Sequence, residues 1–125
     1  MHEPDLSLAV LDYPTLLERA GDDEALAVEV LNDLKVCAPK DLAALAAAFD
    51  AKDAATAART AHKLKGALLA VSANRAAARA SEVERLARTD LPAAELEATH
   101  LAHAWSEACA AVDVVVQRVE NGEVA

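Results

Sequence analysis

The hexapeptide Ala61-His62-Lys63-Leu64-Lys65-Gly66 lies within an alanine-rich run over residues 54–71, and its reading decides the fold. At about 100° per residue, Ala54, Ala57, Ala61, Leu64, Leu68 and Val71 fall on one stripe that an α-helix must bury. His62 lies off that stripe. It shares a face with Ala58 and Gly66 one turn to either side, with Arg59 and Lys65 three residues away and Leu69 two turns on. Ala58 and Gly66 carry almost no side chain, so the imidazole is expected to stand clear of its helix. A glycine inside a helix costs ~1 kcal/mol relative to alanine. In a chain this rich in alanine, Gly66 therefore points to another molecule approaching the backbone beside the ring. Lys65 is placed to bring its ammonium to an anion carried on that ring.

His62-Lys63-Leu64-Lys65-Gly66 resembles the H-x-L-K-G signature of histidine phosphotransfer (HPt) domains, the four-helix modules that carry a phosphoryl group between receiver-domain aspartates in bacterial phosphorelays. Leu16, Leu17, Gly21, Asp22, the Ala38-Pro39 step, Asp53 and Glu84 look placed as in that family, so the resemblance covers residues 12–90. One departure concerns the end of the motif helix. Family members often carry a Gly-Ala pair where this chain reads Val71-Ser72-Ala73, so that turn is expected to be built differently.

The resemblance implies a phosphocarrier. His62 is then the catalytic nucleophile, through Nε2, the nitrogen farther from the backbone, and Lys65 orients the phosphoryl oxygens. Ala58, Arg59, Lys63, Gly66 and Leu69 are the expected docking residues. The implied partners are response-regulator receiver domains, with a hybrid sensor kinase as a further candidate. Two alternatives stay open: a non-catalytic helical interaction module with the same fold, and the phosphoacceptor domain of a chemotaxis-type histidine kinase, which chain length is expected to distinguish.

Composition agrees with this reading. A chain of 125 residues suits one domain. The only aromatic residues are Tyr13, Phe49 and Trp105, so the core must rely on close helix approach rather than on bulk. The net charge of −9 argues against nucleic acid or an anionic membrane as partner. Its distribution is uneven. Residues 59–88 hold seven basic side chains against Glu82 and Glu84, a local +5, while the remainder carries −14. Such a window would attract an acidic partner, and receiver domains present carboxylates at their phosphorylation site.

Cys37 and Cys109 show no metal or redox spacing and read as buried thiols in a reducing compartment. Met1 to Asp5 carry acids and a proline instead of a leader pattern, and no apolar run is long enough to cross a bilayer. A cytoplasmic monomer is expected.

Along the chain the expected fold class is all-α: an antiparallel four-helix bundle with a short extra N-terminal helix, over residues 12–122, after a lead-in at 1–11. In the lead-in, Leu6, Leu8, Val10 and Leu11 are available for packing. Asp12 caps the short helix from Pro14 to a stop at Gly21. Asp22 caps the second helix, which runs to about Asp50, and Pro39 predicts a kink or break near Val36 to Ala38. Asp53 caps the motif helix. Ser72 or Asn74 caps a fourth helix to about Arg88, and Asp90 caps the last, which stops at Asn121-Gly122.

His100 and His103 with Glu97 and Glu107 share helical spacing on the last helix, a weak metal-site signal without a recognisable motif. No metal or other cofactor is expected. The chain has no nucleotide-binding glycine loop, so neither ATP binding nor autophosphorylation is expected of it.

Overall fold

A computed structural model describes residues 8–123, and these residues form five α-helices and no strand. They are α1 (Tyr13–Arg19), α2 (Glu24–Asp50), α3 (Ala54–Ala70), α4 (Asn74–Ala87) and α5 (Leu91–Glu120). Four begin on an aspartate. Asp12, Asp23, Asp53 and Asp90 each accept a hydrogen bond from the backbone N–H three residues on, as free N–H groups at a helix start require. The α2 cap is Asp23 rather than the expected Asp22. Gly21 and Asp22 both take left-handed backbone angles (φ 69° and 62°) in closing α1, so Asp23 is the first residue extended enough to cap.

The helix ends share one device. After α1, α2, α3 and α5 a residue with φ between 54° and 75° lets two successive N–H groups reach back to carbonyls of the last turn. Gly21 and Gly122 serve this purpose without steric cost, whereas Lys52 and Ser72 serve it as ordinary L-residues. Ser72, expected as a possible cap for α4, is spent on closing α3: its N–H donates to Leu69 O and that of Ala73 to Leu68 O. Asn74 is already helical, and α4 starts on Ala73 with no side-chain cap.

Helices α2 to α5 pack around one core. Leu31, Leu45, Leu64, Leu68, Val71, Val83, Leu101 and Val112 supply its bulk. The most extensive pairing is α3 on α4, and their buried positions are mainly alanine: Ala57, Ala58 and Ala61 on one, Ala76, Ala77 and Ala80 on the other. Small side chains let helix axes approach closely. A buried ion pair, Arg79 Nη1 to Glu97 Oε1 at 2.8 Å, ties α4 to α5.

Three further expectations need correction or restriction. Of the kink or break expected at Pro39, the break does not occur: α2 runs through it. It sits on the exposed side, where water can serve the carbonyl left without its donor. Cys37 is exposed, and Cys109 is half-buried at the edge of the core, against which it packs. Of the lead-in, Leu8, Val10 and Leu11 are half-buried, the latter two against the core, while Leu6 lies outside the described residues. Among the described residues no helix is long and apolar enough to cross a membrane.

Candidate functional site

His62 projects from the middle of α3 with 66% of its side chain exposed. Its ring is nevertheless held. Nδ1 lies 3.0 Å from Oε2 and 3.2 Å from Oε1 of Glu84 on α4. The same carboxylate takes Lys65 Nζ on Oε1 at 3.4 Å and Arg88 Nη2 on Oε2 at 3.2 Å. Partial burial pushes the Glu84 carboxyl up, but the hydrogen bonds from His62, Arg88 and Lys65 outweigh it and hold the group below its ordinary 4.5.

This fixes the chemistry of the ring. An ionised carboxylate only accepts hydrogen bonds, so Nδ1 carries the hydrogen and donates it to Glu84. In the neutral ring the remaining lone pair is then on Nε2, at the exposed edge of the imidazole. Beside it is a shallow depression of about 400 Å³ lined by Arg59, His62, Glu84 and Arg88. Arg59 donates from Nη2 to Thr56 Oγ1 at 3.0 Å, within its own helix.

The other residues read from the sequence fall around this centre. Gly66 is exposed, and a Cβ built on it meets no atom within 4 Å, so no neighbouring helix requires a glycine there. Leu69 is 46% exposed. Lys63 is exposed and its ammonium reaches Asp41 Oδ1 of α2 at 3.2 Å. Ala58 is different. It is 3% exposed and part of the core, since it flanks the Ala57–Ala61 stripe, so it offers no docking surface of its own.

The basic window also looks different in three dimensions. Arg79 is buried against Glu97, Lys65 and Arg88 converge on Glu84, and Arg85 pairs with Glu82. Much of the local positive charge is thus neutralised in place. In the sequence, Glu84 stands out only as a family position and Arg88 only as part of that window. Their i, i+4 spacing is visible there; their convergence with His62 and Lys65 is not.

On α5, Glu97 is committed to Arg79 and Glu107 lies 4.0 Å from Arg75. Among the described residues no group of three or more His, Cys, Asp or Glu is arranged to hold a metal ion.

The family model for the Hpt domain matches residues 29–121. No curated protein and no solved structure matches the chain. The family match spans α2 to α5 and includes both His62 and Glu84. With an exposed imidazole whose Nε2 is free and whose Nδ1 is held by a carboxylate, these findings lead to one conclusion: the chain belongs to the Hpt domain family, the histidine phosphotransfer domains of two-component phosphorelays.

Proposed function

We propose that this protein is a phosphocarrier that takes a phosphoryl group onto His62 Nε2 from an aspartyl phosphate of one receiver domain and passes it to an aspartate of another. The observation that carries this is the 3.0 Å bond from Nδ1–H to Glu84, which leaves the lone pair on the solvent-facing nitrogen. In the forward step the Nε2–P bond forms as the bond from phosphorus to the aspartate oxygen breaks, and the aspartate leaves as a carboxylate. The ring keeps its Nδ1 hydrogen and gains positive charge. Glu84 lies against that charge as it develops, which favours the product and the path to it.

Lys65 orients the phosphoryl oxygens, as its place one turn from His62 suggests. Arg59 and Arg88 add to that role, because they line the same depression as the ring. Arg88 need only turn from Glu84, to which it is bound at an exposed site. Among the described residues Glu84 is the one carboxylate lining that depression, and it is already bonded to three basic groups, so the divalent cation that supports such transfers is the receiver's to hold. Arg59, Lys63, Gly66 and Leu69 form the surface that meets the receiver.

The finer architecture belongs to the same reading. Three-residue turns at 51–53, 71–73 and 88–90 between helices that pack together support an antiparallel four-helix bundle with α1 as an extra helix. The domain is taken as 12–122 and the protein as a cytoplasmic monomer that also meets a hybrid sensor kinase.

His62→Gln tests the assignment. Incubation with a radiolabelled phospho-receiver should put acid-labile, alkali-stable label on the wild type and none on the variant, with the melting temperature nearly unchanged. Label persisting on the variant would overturn it. Lys65→Ala should slow transfer at saturating receiver without preventing the unphosphorylated receiver from docking; a large loss of binding with an unchanged rate at saturation would count against this role.

A further inference from the structure

Residues 8–12 precede the stretch matched by the family model, yet they are tied to the turn after α3 and to the first turn of α4. Asp12 N–H donates to Ser72 O and Arg75 N–H to Ala9 O, both at 2.9 Å. The Arg75 guanidinium donates to Leu8 O from Nε at 3.2 Å and from Nη2 at 3.0 Å. This strap places Leu8 along a groove of about 430 Å³ whose other residues include Lys65 and Leu69 of α3 and Asn74, Ala77 and Ala78 of α4. The surface of the groove is mostly carbon, with Lys65 and Asn74 among its polar members.

The groove is continuous with the phosphotransfer site. Lys65 belongs to both, since its ammonium pairs with the carboxylate that orients His62. Leu69 is seven residues beyond His62 on nearly the same helix face, which at about 1.5 Å per residue is about 10 Å along α3. A partner of standard size covers roughly 800 Å², a patch of about 16 Å radius. A receiver centred on His62 therefore reaches the groove, and Gly66, exposed between them, leaves the backbone open to it.

We propose that this groove accepts an apolar side chain of the receiver that exchanges phosphoryl with His62, and that Leu8 of the strap determines which receiver fits. The proposal rests on the phosphocarrier reading and adds to it a residue outside the family's matched stretch. The lining decides the chemistry of the occupant: Leu8, Leu69, Ala77 and Ala78 give methyl groups and no carboxylate, so they favour an aliphatic or aromatic side chain over a charged one.

Two variants probe it from opposite walls. Leu8→Asp puts a charge in the groove, and Ala78→Gln, at an exposed helix position, fills it without touching the core. The probe is the receiver that labels the wild type fastest among those of the same organism, titrated unphosphorylated by calorimetry and phosphorylated for transfer rates. Phosphoramidate, a small phosphoryl donor that needs no docking, reports on His62 itself. Both variants should raise the receiver's Kd roughly tenfold, the scale of one lost apolar contact, with phosphoramidate labelling and melting temperature unchanged. Wild-type affinity in both overturns the groove, and wild-type affinity in Leu8→Asp alone overturns the role of the strap. Loss of phosphoramidate labelling in either also overturns the proposal, because the groove acts on docking only. Failure of every receiver to label the wild type overturns instead the phosphocarrier reading on which it rests.

Discussion

Glu97 and Glu84 make opposite uses of a carboxylate. Glu97 on α5 and Arg79 on α4 meet one to one at 2.8 Å, with 5% and 11% of their side chains exposed. Glu84 on α4 is itself only 15% exposed, but it is shared by His62, Lys65 and Arg88, whose side chains are 66%, 29% and 62% exposed. The buried pair has given up its hydration, so it sets how α4 and α5 lie together. The donors around Glu84 keep much of their hydration, so one can leave at little cost and the cluster can be rearranged as charge arrives on His62. Burial of the partners, rather than the kind of residue, separates the ion pair that serves the fold from the one that serves the chemistry.

Breaking the buried pair should have the largest effect. Glu97→Ala leaves Arg79 charged and unpaired and is expected to cost about 3–5 kcal/mol of stability, read by urea denaturation, while the folded fraction still accepts phosphoryl at His62. Replacing both partners with Arg79→Met and Glu97→Leu should recover most of that loss. A cost below ~1 kcal/mol for Glu97→Ala would mean that Arg79 is as hydrated as the donors around Glu84 and the contrast false.

Glu84→Ala should behave the other way round. Charge-assisted hydrogen bonds are worth about 1.5–3 kcal/mol, and for so exposed a ring the lower end is expected, a roughly tenfold slower transfer from a saturating phospho-receiver with a smaller loss of stability than Glu97→Ala shows. Its pH signature follows from the sign of the shift. Because the folded-state carboxyl lies below its ordinary 4.5, Glu84 stabilises the protein above that value, and the contribution disappears as pH falls through the folded-state pKa. The wild type should therefore lose stability more steeply than Glu84→Gln as pH drops below about 4.5. Equal slopes would show that the carboxylate gains nothing from its three partners.

Gly66→Gln sharpens the comparison on the exposed side. With open space around the position, the substitution should stabilise the domain by ~0.5–1 kcal/mol yet weaken receiver binding, so stability and function move in opposite directions. A fall in melting temperature would make Gly66 a packing glycine. The smallest effect is expected at Tyr13, whose buried hydroxyl finds no hydrogen-bond partner among the described residues. Tyr13→Phe removes an unmatched polar group and should leave stability equal or higher by under ~1 kcal/mol; a larger loss would reveal a partner for that hydroxyl.

Much of the fold is legible in the amino-acid sequence because helices are written locally. Aspartate caps at Asp12, Asp53 and Asp90, stops at Gly21 and Asn121-Gly122, and the stripe through Ala57, Ala61, Leu64 and Leu68 each depend on residues within about four positions of one another. His62 can be singled out on the same ground, from its offset to that stripe and from the residues one turn away. The misreadings also have local causes. Ser72 and Asn74 are ordinary cap residues, and nothing within a few positions says that Ser72 is needed in the left-handed region to close α3.

What only the tertiary structure decided is every pairing across helices. Distance from the backbone already favours Nε2 in the sequence, but nothing on α3 says which ring nitrogen carries the hydrogen. The contact to Glu84, twenty-two residues away, makes Nδ1 the donor and leaves the lone pair on Nε2. Likewise the local +5 of residues 59–88 is a sum over a window, and folding sends Arg79 inward to Glu97 and gathers Lys65 and Arg88 on one carboxylate. A helix and its exposed histidine follow from periodicity, which is a short-range property of the chain. Protonation, charge and docking surface depend on which distant side chains packing brings within about 3 Å, and that is set by the core as a whole.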